Sequence, residues 1–238
     1  TIDRIYNEKM YKPFFDNWSF HAGTGFAGGA YSGYKLGSEM GLNPWTGGLN
    51  QGDHAIWADY QNGNITLQDA TAQMHGDYYT NAGSPTVNAS GLEVNSRATT
   101  HPLDLNGNRI GILAAARDYS SVSSEIEFHN AGLTSGRRFL FTSYHELTHV
   151  TMLYNGDMHN YYNILQMNYG SGSFATSLNQ RVYSRTGLKI FAERWAYGSQ
   201  WGRWGIHGSR INYVNSMWKR LITNPITPDE YRNLIRTF

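Results

Sequence analysis

The clearest hydrophobic pattern in the chain lies between Phe139 and Tyr154, a run without Pro or Gly. Leu140, Tyr144, Leu147 and Thr151 recur at helical spacing, and Phe139, Val150 and Leu153 widen the stripe. A helix apolar over so much of its circumference is a buried one. Thr134 or Ser135 can cap its start, and Asn155-Gly156 supplies a stop. Arg137 and Arg138 fall in the first turn, where positive charge opposes the helix dipole.

Upstream the pattern reads as strands and turns. Residues 1–20 carry aromatic mass without a clean period and predict an arm packed on the core. From His21 to Gly52 the chain is Gly-rich and nearly uncharged; its close-set glycines lack the Lys-Ser/Thr of a phosphate loop, so turns are expected there. His54–Tyr60 and Asn64–Asp69 predict a hairpin about Asn62-Gly63. Polar turns follow over 70–100, with short strands near Val87 and over Leu92–Val94. After Asn106-Gly107, the apolar run from Arg109 to Ala116 predicts a central strand. Ser124 to Phe128 alternates and predicts a partly exposed strand, open either to ordinary pairing or to pairing with an extended peptide.

Downstream the period becomes helical. Helices are expected over 160–167, over 174–183 up to a break at Arg185-Thr186-Gly187, over 188–197 with Thr186 as cap, and from Ile211 to a stop at Pro225. A last helix opens on Thr227-Pro228-Asp229-Glu230, a cap followed by a capping-box Glu. Strands first and helices after predict an α+β fold, β-rich in its N-terminal half and helical in its C-terminal half, with the 139–154 helix at the junction. One domain is expected over 1–238, comprising an arm over 1–52 and a core over 53–238.

Composition narrows the chemistry. The chain has 238 residues, 19 basic against 18 acidic, so nothing points to a nucleic-acid partner. No apolar run reaches the length of a membrane span. With no cysteine, disulfides and thiolate metal sites are excluded, and any metal must take His, Asp, Glu or Tyr. A chain that starts at Thr1, not Met, reads as a processed product or as an excised piece of a longer chain.

The central helix carries His145-Glu146-Leu147-Thr148-His149. Histidines four apart share one helix face and can grip a single Zn²⁺, while Glu146 on the flank can act as general base toward a water. Buried imidazoles beside a carboxylate need partners, and a metal supplies one. A catalytic zinc takes three protein ligands. Asn155 stands where the short metzincin spacing would need His, which removes that class. Three candidates remain. Glu193 lies beside the apolar stripe Leu188, Phe191, Ala192 and Trp195, with small Ala196 next to it; an ion pair with Lys189 or Arg194 is its bland alternative. His159 and Asp157 follow the Gly156 turn and lie close in sequence to His149.

His145-Glu146-x-x-His149 followed by Glu193 in Ala192-Glu193-Arg194-Trp195-Ala196-Tyr197 resembles the zincin metallopeptidases, and within them the gluzincins, over about 60 residues. Ala192 and Tyr197 depart from the Asn-Glu-x-x-x-Asp pattern common in that subclass. The resemblance implies a zincin-like fold, one catalytic Zn²⁺ on His145, His149 and Glu193, Glu146 as general base, and a protein or peptide substrate. Tyr197, Tyr161, Tyr162, His159, Arg194 and His207 are candidate oxyanion donors. The Gly/aromatic stretch ending Asn43-Pro-Trp-Thr-Gly-Gly48 resembles the C-terminal region of bacterial Rhs-type polymorphic toxins, which implies a secreted or delivered effector with an immunity or inhibitor protein. The rival expectation is a non-catalytic carbohydrate- or protein-binding module with a structural metal.

Overall fold

A computed structural model describes residues 49–169, 177–204 and 208–223. The N-terminal arm up to Gly48, with the Gly-rich stretch that carries the toxin resemblance, His207 and the helix expected from Thr227 lie outside the described residues; the arm's last residues, 49–52, instead cap and open the helix Gln51–Gln61. The fold is mixed α+β and mostly helical, with a small three-stranded sheet. Its elements are α1 (Gln51–Gln61), α2 (Leu67–His75), α3 (Asp77–Asn81), β1 (Thr86–Ala89), β2 (Ala98–Leu103), α4 (Ile112–Arg117), β3 (Ser123–Phe128), α5 (Gly136–Tyr154), α6 (Asp157–Tyr169), α7 (Ser177–Trp204) and α8 (Gly208–Thr223).

The expected hairpin over 54–69 is instead the helix pair α1 and α2. Capping decides this. Asn50 accepts the Asp53 amide at 2.7 Å, and Thr66 and Asp69 form a reciprocal capping box. Asn62-Gly63 ends α1 rather than turning a hairpin, with Gly63 at φ +75°. The central strand expected over 109–116 is also a correction, because Ile112–Arg117 is α4. Its three consecutive alanines have high helix propensity, which outweighs the apolar run as a strand signal. The short strand expected over Leu92–Val94 does not form.

The sheet has the order β1-β3-β2, with β1 parallel and β2 antiparallel to β3. Val87 and Ser124–Phe128 therefore fall on strands as expected. However, β3 is the central strand, and its two edges are taken by β1 and β2, so it cannot pair with a peptide. The edge on the helix side of the site belongs to β2, a polar segment of which the sequence reading takes only the first residues, 98–100, as turns. Ser124, Ile126 and Phe128 are buried on the face that meets α5, and Thr100 of β2 lies opposite Ile126 on that face.

α5 starts as expected, with Ser135 Oγ accepting the Arg138 amide at 3.2 Å, and ends at Asn155. Gly136 is needed at its first turn: a Cβ there would lie 2.6 Å from Leu49 and 2.7 Å from Trp57. Residues 139–148 are buried throughout. One core cluster packs α1, α2, the sheet and the first half of α5 around Trp57, Ile126, Phe128, Phe139 and Leu147. A second gathers α4, α6, α7 and α8 around Met152, Met158, Leu188, Ile190 and Trp218. α5 belongs to both, so its polar motif sits where they meet.

α7 runs through Arg185-Thr186-Gly187 without the expected break. Gly187 costs about 1 kcal/mol against Ala in a helix interior, but it is buried, and Leu188 and Ile190 just beyond it pack in the second core cluster, which outweighs it.

Candidate metal centre

α5 presents His145 and His149 one turn apart on the side that faces α7. Their rings meet edge to face, with centroids 4.7 Å apart, and their Nε2 atoms lie 3.1 Å apart. From α7, Glu193 turns its carboxylate into the same space. Oε2 lies 3.3 Å from Nε2 of His145, and Oε1 lies 3.6 Å from Nε2 of His149. Ala196, fully buried and next to Glu193 on this helix, lets α7 approach closely.

These three residues are the group among the described residues that could hold a metal ion. The donor chemistry fits. Two imidazole nitrogens and a carboxylate are ligands zinc accepts, and a tetrahedral ion with bonds of about 2.0–2.1 Å spaces its donors about 3.3–3.4 Å apart. The three groups are also electrostatically coupled. Burial disfavours the charged form of Glu193, yet the two imidazoles hold its carboxyl well below the usual carboxylate range. Burial likewise opposes a charge on His145, but the Glu193 carboxylate outweighs it and raises the imidazole. A partly buried carboxylate beside two imidazoles calls for positive charge there, which protons on the imidazoles or a bound cation would supply.

The other two candidate ligands lie elsewhere. His159 has its Nδ1 2.8 Å from the Ala116 carbonyl and its Nε2 3.0 Å from Asn163 Nδ2, while its ring packs on Tyr119. Asp157 stands in the first turn of α6 and is not part of the cluster. Arg194, the bland ion-pair partner for Glu193, binds Asn215 Oδ1 at 2.7 Å and covers the Trp218 ring.

Glu146 is buried but does not join the ligand group. Its Oε2 accepts a hydrogen bond from Thr100 Oγ1 of β2 at 2.7 Å, so the carboxylate is held between the sheet edge and the two histidines. Sequence reading missed Thr100, because β2 carries too little apolar pattern to be seen as a strand.

The candidate oxyanion donors also separate. Tyr161 is buried in the second core cluster, stacked on Phe191 at 4.1 Å. Tyr162 accepts from Arg117 Nε at 3.0 Å. Arg194 and His159 are engaged as above. Tyr197 alone of the described candidates lies against the cluster, its ring centroid 4.6 Å from that of His145. Burial and the neighbouring Glu193 carboxylate push its hydroxyl up to about 12, so it remains a proton donor at neutral pH.

Comparison with protein-family models, with characterised proteins and with solved structures finds no match to this chain.

Proposed function

We propose that this protein is a zinc-dependent metallopeptidase of zincin-like architecture. The observation that carries the reading is the meeting of His145 and His149 from α5 with Glu193 from α7, beside a second carboxylate, Glu146, that is held apart from them by Thr100. A purely structural zinc takes four protein ligands; here three are gathered among the described residues, as in a catalytic site.

When bound by His145, His149 and Glu193, zinc would supply a Lewis acid that polarises a carbonyl and acidifies a water. Glu146, its carboxylate oriented by Thr100, would take the proton of the attacking water and return it to the leaving amine. The Tyr197 hydroxyl would donate a hydrogen bond to the oxyanion that develops on the substrate. β2 is the strand an extended peptide would join, in place of β3. Pro102 and Asp104 are covered by the 108–110 segment, through the Ile110 amide on the Pro102 carbonyl at 2.9 Å and the Asp104 amide on the Asn108 carbonyl at 2.9 Å. The part of β2 beside Thr100 is thus where the peptide would run, next to Glu146.

The test is hydrolysis of an unfolded protein substrate by the zinc-loaded chain and by Glu146→Gln. Cleavage by the first, and at least about a hundredfold less by the second at equal zinc content, is expected. Equal cleavage by both would remove Glu146 as the base. A zinc-loaded wild type without hydrolytic activity would favour a binding module with a structural metal.

A further inference from the structure

We propose that Gln200 is a positioning residue that fixes the His145 tautomer and so directs its Nε2 lone pair at the metal site. The inference rests on the metal reading above and assigns a role to a residue outside the ligand set. Gln200 is 2% exposed, in the interface between α7 and α5. A carboxamide buried so deeply must satisfy both its ends.

The orientation of the amide follows from its neighbours. The Phe141 backbone carbonyl lies 2.6 Å from one end of the amide. A carbonyl can only accept, so that end is the NH₂. The other end, 3.2 Å from Nδ1 of His145, is therefore the oxygen, which can only accept. Nδ1 must then carry the imidazole proton. A neutral imidazole protonated at Nδ1 has its lone pair on Nε2, the atom that faces His149 and Glu193. A backbone carbonyl of α5 thus sets a tautomer on the same helix through one side chain of α7.

The spacing on α7 makes this possible. Glu193 and Gln200 are two turns apart on one face, with Ala196 between them. One helix supplies both a ligand and the group that orients another ligand. His149 lacks the same support: its Nδ1 is buried with no hydrogen-bond partner among the described residues. The ordering of the pair thus rests on His145, the histidine that Gln200 holds.

The experiment is calorimetric titration of the metal-stripped full chain with Zn²⁺, for wild type and Gln200→Met, with thermal unfolding of each. Gln200→Met keeps the volume and removes the acceptor. Zinc binding weaker by about 10–100-fold is expected, beyond any change in unfolding temperature. Equal zinc affinity in the two proteins overturns the role of Gln200 while leaving the metal reading intact; no zinc on the wild type overturns the metal reading and this inference with it. Where Gln200→Met does not fold, nitrogen-15 spectra of the zinc-loaded wild type decide. A protected proton on Nδ1 of His145 supports the assignment, and a proton on Nε2 overturns it.

Discussion

Thr100 Oγ1 donates a 2.7 Å hydrogen bond to Oε2 of Glu146, tying the outer strand of the sheet to the acid of the His145–His149 motif. The same hydroxyl lies 3.3 Å from the Glu146 backbone carbonyl, so the threonine sits over the helix turn that carries the motif. Thr100→Val keeps the shape and removes the donor. A hydrogen bond to a charged acceptor is worth about 1.5–3 kcal/mol, so kcat for peptide hydrolysis should fall about tenfold or more with zinc content unchanged. Steady-state kinetics beside metal analysis read both; an unaltered kcat would detach Thr100 from the chemistry.

Tyr197→Phe separates binding from oxyanion stabilisation. Its hydroxyl, pushed up to about 12 by burial and by Glu193, is protonated across the working pH range. Loss of one oxyanion donor costs about 10²–10³ in kcat. KM and zinc stoichiometry should stay close to wild type. A change in KM alone would place Tyr197 in substrate binding instead.

His75 governs acid stability away from the metal. It is buried beside Ser143, which donates to the Phe139 carbonyl at 2.7 Å, so the 2.7 Å contact between His75 Nε2 and Ser143 is a donation from the imidazole. Burial first, and Arg203 second, lower its pKa from 6.5 to about 3. The unfolded chain therefore takes up a proton below about pH 6.5 that the folded chain refuses until about pH 3. Stability falls as pH drops through that window, by up to about 1.4 kcal/mol per pH unit from this group. His75→Gln, which keeps a donor toward Ser143, should flatten the acid side of the stability curve measured by urea unfolding. Parallel curves for the two proteins would assign the acid sensitivity elsewhere.

The parts of the fold legible in the sequence are those where one signal dominates. The α5 helix, its Ser135 cap and its Asn155-Gly156 end follow from a long uninterrupted apolar stripe with clear boundaries. Glu193 was visible because a carboxylate in so aromatic a helix needs a partner, and Ala196 beside it allows close packing. The N-terminal part failed where short segments carry competing signals. Asn62-Gly63 suits a hairpin and a helix end equally, and the deciding caps at Asn50 and Thr66 lie outside the apolar runs. β2 was illegible because Thr99, Thr100, His101 and Pro102 hold their place through antiparallel pairing with β3, not through a hydrophobic period of their own. Gln200 had no sequence signature at all; its meaning comes from the Phe141 carbonyl and His145 that α5 brings to it.

Zinc stoichiometry tests the central claim most directly. Purified full chain, loaded with Zn²⁺ and freed of excess by gel filtration, should carry one ion per chain. Glu193→Ala, which removes one of the three donors that lie within 4.8 Å of one another, should lose most of it, and His145→Ala with His149→Ala should lose all of it. A wild type free of zinc, or an ion that persists in the double histidine variant, would contradict the account.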